Sequence, residues 1–188
     1  MKQLTYIGNY GQWIKQEWID YLLNNDGDFL PRKPGEGWED WYGDEPPWKG
    51  EDPEHGLETW DYKVVSQSYK YDILPWAPET IPFDVGYDYD GWEWFFLKIL
   101  PGQGQPVHKD YPLEPNAPGS KGIHVDRFWM PLQDYKQGHL FWYEDQIISD
   151  YKMGDVFKYD HPQDWHSGAN MGHSTRLTCN ITTWKYQY

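Results

Sequence analysis

Arg176-Leu177-Thr178-Cys179-Asn180-Ile181-Thr182-Thr183-Trp184 alternates polar and apolar side chains over its first seven positions. A period of two is the mark of a β-strand whose two faces meet different surroundings. Arg176, Thr178, Asn180 and Thr182 share one face, and Leu177, Cys179 and Ile181 share the other. Upstream, further short runs read as strands: Lys63 to Tyr69, Trp92 to Ile99, Arg127 to Gln133, Gly138 to Tyr143 and Gly154 to Tyr159. Turn chemistry separates them at Asp90-Gly91, Pro101-Gly102, Pro118-Gly119 and Gln137-Gly138. Many short strands at regular spacing predict a sandwich or barrel. Within the Arg127 run, Arg127 and Trp129 alternate with Phe128 and Met130, so one pair faces the interior and the other faces outward.

The first third reads differently. Ile14, Trp18, Tyr21 and Leu22 carry the spacing of a helix face over residues 11 to 25, and Asn24-Asn25-Asp26-Gly27 supplies a stop. Residues 31 to 61 hold five Pro, five Gly and four Trp (Trp38, Trp41, Trp48, Trp60) among ten acidic and three basic residues. No period survives there. Its aromatics argue against disorder, and an ordered wrap is favoured over a lid. This stretch contributes -7 of the net charge. If it borders a site, it favours a cationic or neutral substrate, with Trp38 and Trp41 as stacking or cation-π surfaces.

The length of 188 residues fits a single domain spanning 1–188, with the helix and wrap in 1–61 and the barrel in 62–188. The 13 Trp, 16 Tyr and 7 Phe supply large buried area per residue. Cys179 is the lone cysteine, which excludes an intrachain disulfide. Met1-Lys2-Gln3-Leu4-Thr5 lacks the apolar run of a signal peptide, so no membrane span and a cytoplasmic location are expected. A formal net charge of -14 argues against nucleic acid as a partner. Oligomeric state is not legible.

Chemistry gathers at His108-Lys109-Asp110, His166 and Arg176. In an extended strand the His108 imidazole and the Asp110 carboxylate leave the same face and reach one ion. With His166 they form two histidines and a carboxylate on one face of an octahedral ion, the facial triad of non-haem Fe(II) oxygenases, which leaves positions open for cosubstrate and dioxygen. Arg176 offers a planar, permanently charged fork for a cosubstrate carboxylate.

At these residues the chain resembles the Fe(II)- and 2-oxoglutarate-dependent dioxygenases, whose signature is His-x-Asp, a distal His, and Arg about ten residues later. The resemblance covers roughly residues 94 to 184. Its segments fall in the family's order: Phe96 to Gly102, Arg127 to Leu132, Gly138 to Phe141, Tyr151 to Phe157, His166 to Asn170 and Arg176 to Thr178. The flavour is that of prolyl-hydroxylase-like or aspartyl/asparaginyl-hydroxylase-like members, including compact phage-encoded versions, for which the compartment would be the host cytoplasm.

The resemblance implies a double-stranded β-helix, the cupin-like jelly-roll barrel, mainly β with flanking helices. It implies Fe(II) on His108, Asp110 and His166, and 2-oxoglutarate held by Arg176 with Thr178. Arg127 is a further candidate contact, weighed equally against a surface ion pair. Dioxygen is the co-oxidant, ascorbate a candidate reductant, and the expected outcome is hydroxylation of a peptide or protein side chain or a small metabolite. Trp129 joins Trp38 and Trp41 as a candidate substrate contact. A second His-x-Asp, His124-Val125-Asp126, competes with the first. His108 is preferred for its strand-turn approach and its offset of 58 from His166. His161 competes with His166, which is preferred for the Gly168-Ala169-Asn170 that follows and its offset to Arg176. The alternatives are a cupin-like metal- or ligand-binding jelly roll without oxygenase activity, and an interaction protein docking through its Trp-rich segment.

Overall fold

The structure, a computed structural model, describes residues 3–24, 30–31, 67–70, 80–105, 107, 122–162 and 164–186. Eleven strands appear among them: β1 Thr5–Asn9, β2 Leu30–Pro31, β3 Gln67–Lys70, β4 Gly91–Ile99, β5 Gln103–Gly104, β6 Ile123–Pro131, β7 His139–Tyr143, β8 Gln146–Ile148, β9 Asp155–Lys158, β10 His166–Asn170 and β11 Arg176–Tyr186. A 3-10 turn spans Gly11–Trp13 and the helix α1 spans Gln16–Asn24.

The strands form a seven-stranded sheet in the order β1-β9-β6-β11-β4-β3-β2 and a four-stranded sheet in the order β5-β10-β7-β8. From β4 onward the chain alternates between them: β4 large, β5 small, β6 large, the β7–β8 hairpin small, β9 large, β10 small, β11 large. All pairings are antiparallel. That winding is a double-stranded β-helix, as the sequence implies. The long alternating β11 runs beside both β4 and β6, so the strand with two unlike faces is also central to the larger sheet.

Two apolar layers result. On one face of the larger sheet, Phe96, Phe128, Met130, Leu177, Cys179 and Ile181 pack against Trp18, Ile19 and Leu22 of α1 and against Ile81, Phe83 and Val85. On the other face, between the sheets, Trp129, Phe141, Tyr143, Tyr151 and Tyr159 form a second, aromatic cluster. The helix starts later than expected, because Gly11–Trp13 makes a 3-10 turn and Ile14 is extended (ψ 121). Ile14 still reaches the core from that turn, and Ile19 is buried where Tyr21 is only partly so. Asn24 Nδ2 donates to the Asp20 carbonyl (2.7 Å), and Lys98 Nζ reaches the Leu23 carbonyl (3.4 Å), satisfying carbonyls at the helix end.

No helix among the described residues is long and apolar enough to cross a membrane. Apart from Pro31, the 31–61 stretch with Trp38 and Trp41 lies outside the described residues, as do Lys63 to Ser66, His108, Asp110 and the Pro118-Gly119 turn.

Candidate functional site between the sheets

The alternation of β11 decides what faces the interior. Leu177, Cys179 and Ile181 join the layer under α1, so Arg176, Thr178, Asn180 and Thr182 look toward the four-stranded sheet. Register then brings β6 with it: Asn180 lies opposite Trp129 and Thr182 opposite Arg127, while Phe128 and Met130 take the α1 side. Thus Arg127 and Trp129 form the inward pair.

Arg176 is 2% exposed, a permanent cation at the middle of the molecule. Its guanidinium stands 5.8 Å from the Trp129 ring centroid and shares a hydrogen bond with the Tyr151 hydroxyl. Burial pushes its pKa down, and Tyr151 and Tyr159 oppose that shift. Burial likewise raises the Tyr151 hydroxyl, and the Arg176 charge counters it. Among the described residues, Nε and Nη2 of Arg176 and Oγ1 of Thr178 have no hydrogen-bond partner. No carboxylate of the described residues pairs with this guanidinium. A desolvated cation with two idle donors, beside an idle hydroxyl, is costly unless an anionic ligand satisfies it. Gly168 makes room for the guanidinium, because a Cβ there would lie 2.9 Å from Arg176 Nη1.

Across the interior, β10 directs His166, Gly168 and Asn170 inward, in register with Tyr143, Phe141 and His139 of β7. His166 is 4% exposed, and its ring lies against Tyr159 (5.0 Å, edge-on) and Phe141 (6.4 Å). Its Nδ1 is 2.9 Å from the Asp164 carbonyl. A carbonyl only accepts, so Nδ1 carries the proton and Nε2 carries the lone pair, the arrangement found in metal-binding histidines. The supporting turn is itself tied down. The buried Asp164 carboxylate accepts from the Tyr143 hydroxyl (2.5 Å) and the His161 amide (2.8 Å), and the Tyr143 oxygen accepts from the Asp160 amide (2.8 Å). Burial, and then the Asp164 carboxylate, push the Tyr143 hydroxyl upward, which keeps it a donor.

His108 and Asp110 lie outside the described residues, but the chain leading to them does not. Gln103 and Gly104 pair with Asn170 and Ala169, the Gln105 amide donates to the Gly168 carbonyl (2.7 Å), and Ser167 Oγ donates to the Gln105 carbonyl (2.7 Å). The strand therefore follows β10 to within three residues of His108. Among the described residues no group of three or more His, Cys, Asp or Glu could hold a metal ion.

The competing histidines stand elsewhere. His124 and Asp126 share the Phe128 side of β6, away from Arg176. His124 Nε2 is 3.3 Å from Asp126 Oδ2, which also takes Lys158 Nζ at 2.6 Å. His161 and His173 are exposed. His139 is buried and bonded to the Ser174 carbonyl (2.9 Å). Tyr151, Asp164 and Tyr143 escaped the reading of the sequence. Tyr151 and Asp164 sit in loops between strands, and no periodicity marks a loop residue as inward.

No protein-family model and no curated protein matches the chain. Solved structures do. The viral collagen prolyl hydroxylase of Paramecium bursaria Chlorella virus 1, solved as a 2-oxoglutarate complex, is 13% identical over 53% of this chain and 63% of its own, with a TM-score of 0.41. A cupin 2 conserved barrel domain protein from Rhodopseudomonas palustris is 11% identical over 63% and 61%, with a TM-score of 0.39. An uncharacterized conserved protein with a double-stranded β-helix domain from Klebsiella pneumoniae is 15% identical over 50% and 69%, with a TM-score of 0.34. At such identities and scores these likenesses say nothing about what this chain binds or does.

Proposed function

We propose that the chain is a non-haem Fe(II)- and 2-oxoglutarate-dependent oxygenase, a hydroxylase of a C–H bond in a peptide or small molecule. The observation that carries this reading is the buried Arg176, with Nε and Nη2 idle, beside the idle Thr178 hydroxyl and on the interior that His166 also faces. That donor set fits a carboxylate at one end and, through His166 Nε2, a metal at the other. His108 and Asp110 would complete the ligand set with His166. Arg176 would hold the distal carboxylate of 2-oxoglutarate by its fork, and Thr178 would add a hydroxyl donor.

When bound, Fe(II) with 2-oxoglutarate and dioxygen supplies oxidative decarboxylation to succinate and carbon dioxide, coupled to hydroxylation of the substrate. The protein's own part is positional. Asp164 fixes the tautomer and tilt of His166, Gly168 leaves space for the guanidinium, and Trp129, Phe141 and Tyr159 line the interior with apolar surface that excludes water.

The test is anaerobic titration of the protein with Fe(II) and 2-oxoglutarate. A weak visible charge-transfer band is expected, and it should disappear in His166→Ala. A cupin-like protein without oxygenase activity would give no such band and would not need Arg176.

A further inference from the structure

The inward face of β11 carries one side chain that the cosubstrate cannot satisfy. Among the described residues, neither Oδ1 nor Nδ2 of Asn180 has a hydrogen-bond partner, and Oδ1 is shut away from water. A buried acceptor without a donor is unfavourable unless a ligand supplies one. Thr178 and Thr182, on either side of Asn180 on the same face, are 0% and 3% exposed. Asn180 is only half-buried, although β4 and β6 cover both edges of the strand at this point. Its accessible part therefore opens into the space between the sheets.

A chain of packed rings ties this residue to the proposed metal side. Asn180 lies opposite Trp129 in the register of β11 with β6. The Trp129 ring stacks on Phe141 (4.3 Å between centroids, 9° between planes), and Phe141 lies against His166 (6.4 Å). The other idle groups of the same face, on Arg176 and Thr178, suit a ligand that accepts. Ionised 2-oxoglutarate carries acceptors alone, so it leaves Asn180 Oδ1 unmet. A second ligand has to provide the donor. The Asn180 amide presents an acceptor and N–H donors in one plane, and its complement is a group with an N–H and a C=O on a single edge. Primary carboxamides and lactams have such an edge. A trans peptide bond does not, because its N–H and C=O point to opposite sides.

We propose that Asn180 is a substrate-binding residue that pairs edge to edge with a neutral amide of the substrate, a primary carboxamide or a lactam, and holds it on the His166 side of the interior. This rests on the oxygenase reading. Of the cationic and neutral substrates that the sequence favours, it selects the neutral ones, because a lone carboxamide offers no charge to pair with a cation.

The experiment uses the full chain loaded with Mn(II) and 2-oxoglutarate and reads binding by ligand-observed NMR, in which the paramagnetic ion broadens the protons of a ligand held near it. The probes are a panel of small primary carboxamides and lactams, their N-methylated forms (N,N-dimethylated for the carboxamides), and the amidines that correspond to the carboxamides. At least one carboxamide or lactam should be broadened, and N-methylation should weaken it roughly ten- to a hundredfold, the worth of a buried hydrogen bond left unmade. Asn180→Leu should erase that preference while 2-oxoglutarate still binds through Arg176 and Thr178. Asn180→Asp should exchange the preference, weakening carboxamides and favouring their amidines, since a carboxylate accepts from both nitrogens of an amidinium. A merely structural role would not produce that exchange, and the comparison in the unaltered protein decides the matter if a variant misfolds. Absence of broadening for every carboxamide and lactam overturns the proposal, as does equal binding of the N-methylated forms or a preference that survives both variants. Loss of 2-oxoglutarate from Asn180→Leu also overturns it, by assigning Asn180 to the cosubstrate. If the unaltered protein binds no 2-oxoglutarate, the oxygenase reading fails and the subsite falls with it.

Discussion

On the face of the seven-stranded sheet that meets α1, Phe96, Phe128, Met130, Leu177, Cys179 and Ile181 are each 1% exposed or less and belong to one apolar cluster. On the opposite face the same strands present Arg176, Thr178, Asn180, Thr182 and Arg127, several with idle polar atoms. The first face contributes stability, roughly 1.5–3 kcal/mol for each large apolar side chain buried. The second costs stability, because desolvated polar groups without partners are unfavourable by about 1–3 kcal/mol each. A β-strand permits this segregation because neighbouring residues point to opposite sides. Selection on one face leaves the other free to be polar.

The largest effect should come from the α1 face. Trp18→Ala removes the ring that packs edge-on with Trp13 (4.9 Å) and against Phe96 (5.9 Å). A loss of roughly 3–5 kcal/mol is expected in urea unfolding. A loss under about 1 kcal/mol would mean that the helix is not part of the cooperative core and would break the contrast between the faces.

Arg176 tests the other face. Arg176→Met should weaken 2-oxoglutarate binding by roughly 2–5 kcal/mol in calorimetric titration of the metal-loaded protein. The ligand-free protein should be as stable or more so, since an unpaired buried cation is replaced by an apolar side chain of similar length. If Arg176→Met unfolds the ligand-free protein, the guanidinium is structural and the two faces are not distinct in purpose.

Gly168→Ala sharpens the comparison more finely. The new Cβ would crowd Arg176 Nη1 at 2.9 Å and Ile99 Cδ1 at 3.3 Å. About a tenfold loss of 2-oxoglutarate affinity, roughly 1.4 kcal/mol, is expected with little change in unfolding. An unchanged affinity would show that the guanidinium settles equally well elsewhere.

The smallest effect concerns pH. Burial, with the Arg176 charge assisting, lowers the pKa of His139, while its bond to the Ser174 carbonyl opposes the shift. The unfolded chain therefore takes up a proton near the ordinary value of about 6.5 before the folded protein does. Stability should be full above that value and should fall as pH drops from it toward the lowered native pKa. His139→Gln should flatten the urea midpoint across that window. A midpoint that rises on acidification in the unaltered protein would contradict the assignment.

How much was legible follows the physics of each element. The strands at Trp92 to Ile99, Gly138 to Tyr143 and Arg176 to Trp184 carry β-branched and aromatic residues between turn residues and appear in place. Strand β10 does not advertise itself, because His166-Ser167-Gly168-Ala169-Asn170 is made of small and polar residues. It is a strand because β7 and β5 pair with both its edges. Strand β1 pairs with β9, about 150 positions away, a partnership no local window contains. Of the proposed site, His166 and Arg176 were singled out by their spacing. Asp164, whose carbonyl orients His166, was not, since its role lies in a backbone atom that every residue possesses.

The sequence by itself determined that Arg176 and Thr178 share a side and that Leu177 and Cys179 oppose them, because that follows from the pleat of one strand. It also determined that Arg127 goes with Trp129. Only the tertiary structure decided which side is inside. The four-stranded sheet lies over one face and α1 over the other, so Arg176 is buried among aromatics instead of being solvated, and Arg127 is carried to the far end of the same interior. Burial depends on what the chain brings from a distance, and no stretch of sequence contains its own neighbours.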